Sequence, residues 1–172
     1  MCHRKGLAGI VLDARIRPAQ VRQARAHSGF SLLDLMFAIG IGGIVLAVAI
    51  PSYQEYVLRS NNSAAIADIS RIHLSIETYI MNAGRPPPDL NAIGKGNMLD
   101  PWGRPYVFLS FDGLSGKGQM RKDKNLVPIN SEYDLYSLGP DGDSMPPLTA
   151  KPSRDDIVMA NNGKFVGLAS DY

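Results

Sequence analysis

From Phe30 to Ile50 the chain runs for 21 residues with Asp34 as its only charge. Wound as a helix at 1.5 Å per residue, such a run reaches roughly 30 Å, the thickness of a bilayer's hydrocarbon core. A bare carboxylate inside lipid is costly enough to need a partner or a task, so any account of this segment has to explain Asp34 as well as the apolar length. Basic residues precede the run, and a polar sequence of globular character follows it. The pattern is that of one membrane anchor carrying one modest domain.

The net charge of +2 conceals an asymmetry. Ahead of Phe30 lie Arg4, Lys5, Arg15, Arg17, Arg22 and Arg25 against Asp13 alone, a balance of +5, and the remainder carries −3. The basic pI therefore belongs to the leader and gives no reason to expect nucleic-acid binding by the domain. Positive flanks stay on the cytoplasmic side, which puts the N-terminus inside and the domain, residues 54–172, outside. Cys2 is the one cysteine, so no internal disulfide can form, and His3, His27 and His73 are too scattered to suggest zinc.

Residues 1–29 lack sustained periodicity and read as a targeting leader. A lipoprotein reading fails because Cys2 precedes the apolar segment. An ordinary secretory signal has Ala47-Val48-Ala49 in its favour as a small-residue cleavage site, but the apolar run is longer than a usual signal core and contains Asp34. A plain unprocessed anchor explains the length and leaves Asp34 unexplained.

Past Pro51 the helical pattern continues. Val57, Leu58, Ala65, Ile66, Ile69, Ile72, Ile76, Tyr79 and Ile80 recur at steps of three and four, with Arg59, Asn62, Asp68, Arg71 and Glu77 on the other side. Pro51 removes a helical hydrogen bond and favours a kink, tolerable near a membrane surface. Asn82-Ala83-Gly84-Arg85-Pro86-Pro87-Pro88 is a stop signal. The periodicity predicts one helix over residues 30–83, about 80 Å long at standard rise, with residues 30–53 in the membrane and an apolar stripe beyond them.

Residues 85–105 read as a loop closing in the turn Asp100-Pro101-Trp102-Gly103. Strands are predicted at residues 106–110 and 133–138, and a third at either 156–159 or 164–167. Three short antiparallel strands cannot stand alone, but they could cover the apolar stripe of the helix. The expected class is α+β, a long N-terminal helix packed on a small C-terminal antiparallel sheet.

One cluster has the composition of a metal site. Asp141 and Asp143 lie in the turn after Leu138, and Asp155 and Asp156 follow after a loop. Oxygen donors of this kind suit calcium, which takes six to eight of them in loose geometry. The cluster is no EF-hand, because counting from Asp141 the sixth position is Pro146 and the twelfth Pro152. The competing reading is a solvated acidic loop whose carboxylates cap turns. Catalysis finds little support: there is no HExxH and no phosphate-binding loop, and Gly40, Gly42 and Gly43 are better read as close-packing positions between membrane helices.

Gly29-Phe30-Ser31-Leu32-Leu33-Asp34-Leu35-Met36 resembles the class III signal of type IV pilins and type II secretion pseudopilins. The resemblance implies cleavage between Gly29 and Phe30 by a prepilin peptidase, which methylates the new N-terminus. It also implies that the Asp34 carboxylate pairs with the Phe30 amine of a neighbouring subunit during assembly. The family has glutamate where this chain has Asp34. Pro51 falls where pilins carry their helix-bending proline.

Asp100-Pro101-Trp102-Gly103-Arg104-Pro105-Tyr106, the run Tyr133-Asp134-Leu135-Tyr136-Ser137-Leu138-Gly139-Pro140-Asp141-Gly142, and Asp155-Asp156-Ile157 are similar to stretches of the major, G-type pseudopilin. That similarity implies a pilin-like fold and a structural calcium in the loop of about residues 138–157. Its ligands would be Leu138 through its carbonyl, Asp141, Asp155 and Asp156, with Asp143 a further candidate. The implied role is a non-enzymatic filament subunit, working with other pseudopilins and an inner-membrane assembly platform. The runner-up is a type IV pilin, and a monomeric membrane-anchored calcium module is a third reading. The chain departs from the family pattern in a long leader, a Lys/Arg-rich insertion within residues 112–132, and a lengthened loop at residues 144–154.

Overall fold

The computed structural model describes residues 29–172; the leader reading, apart from Gly29, lies outside them. The chain divides into two compact units, one ending at Gly43 and the other running Ile44–Tyr172.

The described part of the first unit, residues 29–43, holds the start of helix α1, Leu32–Ala83. The helix begins where Ser31 and Asp34 supply a cap, described below. Its early apolar side chains are exposed, Leu32, Phe37, Ile39 and Ile41 among them. The helix is long and apolar enough to cross a membrane, and none of its most apolar stretch is buried by the protein itself.

In the second unit α1 continues through Pro51, where Ser52 Oγ donates to the Val48 carbonyl at 2.9 Å. It ends at Gly84, whose φ of 71° lets its N–H close on the Ile80 carbonyl at 2.7 Å. A left-handed residue after the last turn is glycine's usual place. Ala65, Ile69, Ile72 and Ile76 are fully buried. Their 4-3-4 spacing puts them on one face, and that face is the apolar stripe expected from the sequence.

The stripe packs on an antiparallel sheet of β1 (Val107–Ser110), β2 (Tyr133–Ser137), β3 (Ile157–Ala160) and β4 (Phe165–Leu168), in that order across the sheet. Here the expectation of three strands is corrected. Both candidate third strands form, and they pair with each other from Ile157↔Leu168 to Ala160↔Phe165. The reversal runs through Asn161 and Asn162, both at positive φ, and Gly163 at φ 83°.

Alternation along the strands explains why four are needed. Tyr133, Leu135, Ile157 and Met159 point into the cluster under the helix. Val158, Ala160 and Tyr136 point the other way, into a second cluster with Ile129, Leu148, Ala169, Phe165 and Tyr172. The central strands β2 and β3 are thus buried on both faces. The expectation foresaw only the helix face; the insertion and the C-terminal tail cover the other.

Polar groups fix the helix on the sheet. The Tyr106 hydroxyl donates to Asp68 at 3.1 Å, and the Tyr133 hydroxyl lies 2.6 Å from His73 Nδ1 and 3.2 Å from Glu77 Oε1. Burial raises the pKa of both phenols, helped by the neighbouring carboxylates. The loop from α1 to β1 contains a 3-10 turn, Leu90–Ile93, capped by Asp89. It ends in the expected turn, where Asp100 accepts from the N–H groups of Trp102 and Arg104 and from Ser137 Oγ.

Candidate functional site

Two places carry the residues singled out from the sequence. The first is the start of α1. Gly29 and Phe30 precede the helix in non-helical backbone. Ser31 Oγ accepts the N–H of Leu33 at 3.3 Å, and Asp34 Oδ2 reaches back to accept the N–H of Ser31 at 3.0 Å. The two bonds make a variant of the capping box, with aspartate in the place usually held by Glu or Gln and the Ser31 hydroxyl on the N–H of the second helical residue in place of the third. The sequence reading gave Asp34 no role within its own chain, although Ser-x-x-Asp ahead of an apolar run was the signal for one. Within the subunit the carboxylate stabilises its own helix start; it remains exposed.

The second place is the loop between β2 and β3. The Leu138 carbonyl accepts the Gly142 N–H at 3.2 Å. Asp141 Oδ1 accepts the Asp143 N–H at 2.9 Å, and Asp155 Oδ2 lies 3.4 Å from the Asp141 nitrogen. Gly139, at φ 63°, is pressed so closely on the Asp155 backbone that a Cβ there would collide with it. The Leu138 carbonyl and the carboxylates of Asp141 and Asp155 are therefore each engaged with loop backbone, and Asp143 joins them through its backbone N–H.

Asp156 is turned elsewhere. It is fully buried, and its Oδ2 accepts from Arg121 Nη2 at 2.6 Å and from the Ser144 hydroxyl. Burial pushes its carboxyl up to about 6, against the opposing pull of Ser144 and Arg121. Arg121, 2% exposed, comes from the basic insertion. Its guanidinium also donates to Ser144 Oγ and to the Met145 carbonyl at 2.8 Å, and it lies over the Tyr136 ring at 4.3 Å. On the other side of the loop, Arg104 donates to the Gly139 carbonyl and packs where a side chain on Gly142 would sit.

Of the expected calcium set, Asp156 is thus engaged by Arg121 and Ser144 instead of facing Asp141 and Asp155. Among the described residues no three acidic, histidine or cysteine side chains are grouped as a metal site requires. The physical reason is Asp156, which faces an internal guanidinium; a dication in contact with the same oxygens would meet that positive charge. Arg121 was missed by sequence reasoning. Its only local signal was the basic run, which on its own reads as a solvated face.

No family model matches the chain, and no solved structure matches it. Among curated proteins, it is 28% identical over 141 residues to the type II secretion system core protein G of Pseudomonas aeruginosa, covering 70% of this chain and 88% of that protein. With the core protein G of Aeromonas hydrophila the identity is 26% over 143 residues, covering 71% and 89%. The type IV major fimbrial protein FimA of Dichelobacter nodosus is 34% identical over 79 residues, 46% of this chain and 49% of its own length. The chain spans about half or less of the fimbrial relatives it matches.

Proposed function

We propose that this chain, whose relatives support a place in the pilin and pseudopilin superfamily, is a structural subunit of a type II secretion pseudopilus and not an enzyme. The observation that carries the choice is coverage. Similarity to the secretion core proteins G extends over 70% and 71% of the chain, whereas the fimbrial similarity to FimA covers 46%.

In this reading the chain sits in the inner membrane through α1, N-terminus inside and sheet domain in the periplasm. A prepilin peptidase cuts between Gly29 and Phe30 and methylates the new terminus. The exposed apolar surface of early α1 then exchanges lipid for the α1 segments of neighbouring subunits. Asp34, released from its own capping contact, pairs with the Phe30 amine of a neighbour, and each charge relieves the other's desolvation. Head-to-tail contacts of this kind do not close, so they build a filament. With other pseudopilins and the assembly platform, its extension drives folded proteins across the outer membrane.

The fimbrial relatives favour a second reading, a type IV pilin serving adhesion, motility or DNA uptake. Deleting the gene separates the two. Loss of secreted protein from the medium with surface pili intact is expected; loss of pili and twitching with normal secretion would establish the second reading instead.

A further inference from the structure

The basic insertion, one of the chain's departures from the family it resembles, places a cation inside the loop where that resemblance implies calcium. We propose that Arg121 is the resident cation of the 138–157 loop: its guanidinium draws Asp156, Ser144 and the Met145 carbonyl together as a metal ion would, and the loop holds its conformation without calcium. The inference goes beyond the filament reading and stands whether the filament is a pseudopilus or a pilus.

The chemistry of the donors supports the exchange. Calcium organises a loop by collecting oxygens from separated residues around one positive centre. A guanidinium carries a permanent charge and five N–H donors in a planar fork, and it can collect oxygens in the same way. Arg121 does so with one side-chain carboxylate, one hydroxyl and one backbone carbonyl, from positions 156, 144 and 145. Two buried atoms here lack a partner, Arg121 Nε and Asp156 Oδ1. The Nε and Nη2 hydrogens of a guanidinium lie parallel along one edge and match the two oxygens of a carboxylate. Those two atoms are the ones a bidentate form of the Nη2–Oδ2 pair would use.

The cation is also held in place by its own segment. The Arg121 N–H donates to the buried Asp134 carboxylate at 2.6 Å. Lys122 exchanges backbone hydrogen bonds with the lengthened loop, donating to the Pro146 carbonyl at 3.0 Å and accepting from the Leu148 N–H at 2.9 Å. The insertion and the lengthened loop, separate departures in the sequence, are thus one structure. What is left for a metal is poor: Lys151 and Arg154 line the same hollow as Asp141 and Asp155.

The test uses the full chain in detergent micelles, with unfolding followed by the fluorescence of Trp102. Midpoints in millimolar calcium chloride and in chelator are expected to coincide within about a degree. An ion bound well below its working concentration would instead add several degrees. Arg121→Met is expected to lower the midpoint by about 10 °C and to open the loop to limited proteolysis. Arg121→Lys, which keeps the charge and loses the fork, should fall between. A calcium-specific rise in the wild-type midpoint, abolished by Asp141→Ala or Asp155→Ala, overturns the proposal, and so does an Arg121→Met chain that is as stable and as protease-resistant as wild type. Should Arg121→Met fail to fold, the wild-type comparison still decides.

Discussion

Asp34 shows how one carboxylate can serve two states of the same chain. In the subunit it accepts the Ser31 N–H at 3.0 Å and completes a helix cap. In the proposed filament it faces an amine, a charge-assisted contact in an apolar setting and a stronger one. Aspartate, one methylene shorter than the family's glutamate, is still long enough to close the local contact. Asp34→Ala is therefore expected to be processed normally, because the cut lies outside the helix, and to lose filament assembly. Immunoblotting for the mature form alongside filament yield checks this; wild-type yield from the mutant would remove the pairing role. The Arg121–Asp156 pair belongs to the same scale and a different regime. Both side chains are almost fully buried, so removing either partner leaves an uncompensated group costing about 3–5 kcal/mol.

Helix α1 is the element on which local pattern and tertiary packing agree most closely. Its stripe, its stop at Gly84 and its membrane-length apolar run follow from periodicity, which a 52-residue helix repeats many times. Ile72 sits in the middle of that stripe, fully buried beneath the sheet. Ile72→Ala is expected to cost about 2–5 kcal/mol, visible as a lowered unfolding midpoint. The strands were less legible. Residues 107–110 and 133–137 announce themselves by aromatic and β-branched content. By contrast, β3 and β4 are four residues each, too short for alternation to choose between them. The choice was unnecessary, because the hairpin turn at residues 161–163 pairs the two.

At the scale of the molecule, the sheet domain buries both faces of its central strands, while the early part of α1 buries nothing of its own. Such an exposed apolar surface calls for lipid or for other copies. A single cysteine introduced in place of Ile41, in a Cys2→Ser background, is expected to give a disulfide-linked dimer in membranes expressing the assembly machinery. Monomer alone would return the chain to a membrane-anchored module. Local pattern was enough for the membrane-length helix, its apolar stripe and the α+β class, because periodicity and strand composition rest on residues near one another in sequence. The acidic loop was different. Which oxygens would meet, and what cation they would meet, depended on bringing position 121 beside positions 144 and 156. Contacts between residues so far apart in sequence are set by the packing of the second sheet face, and no spacing in the chain records them.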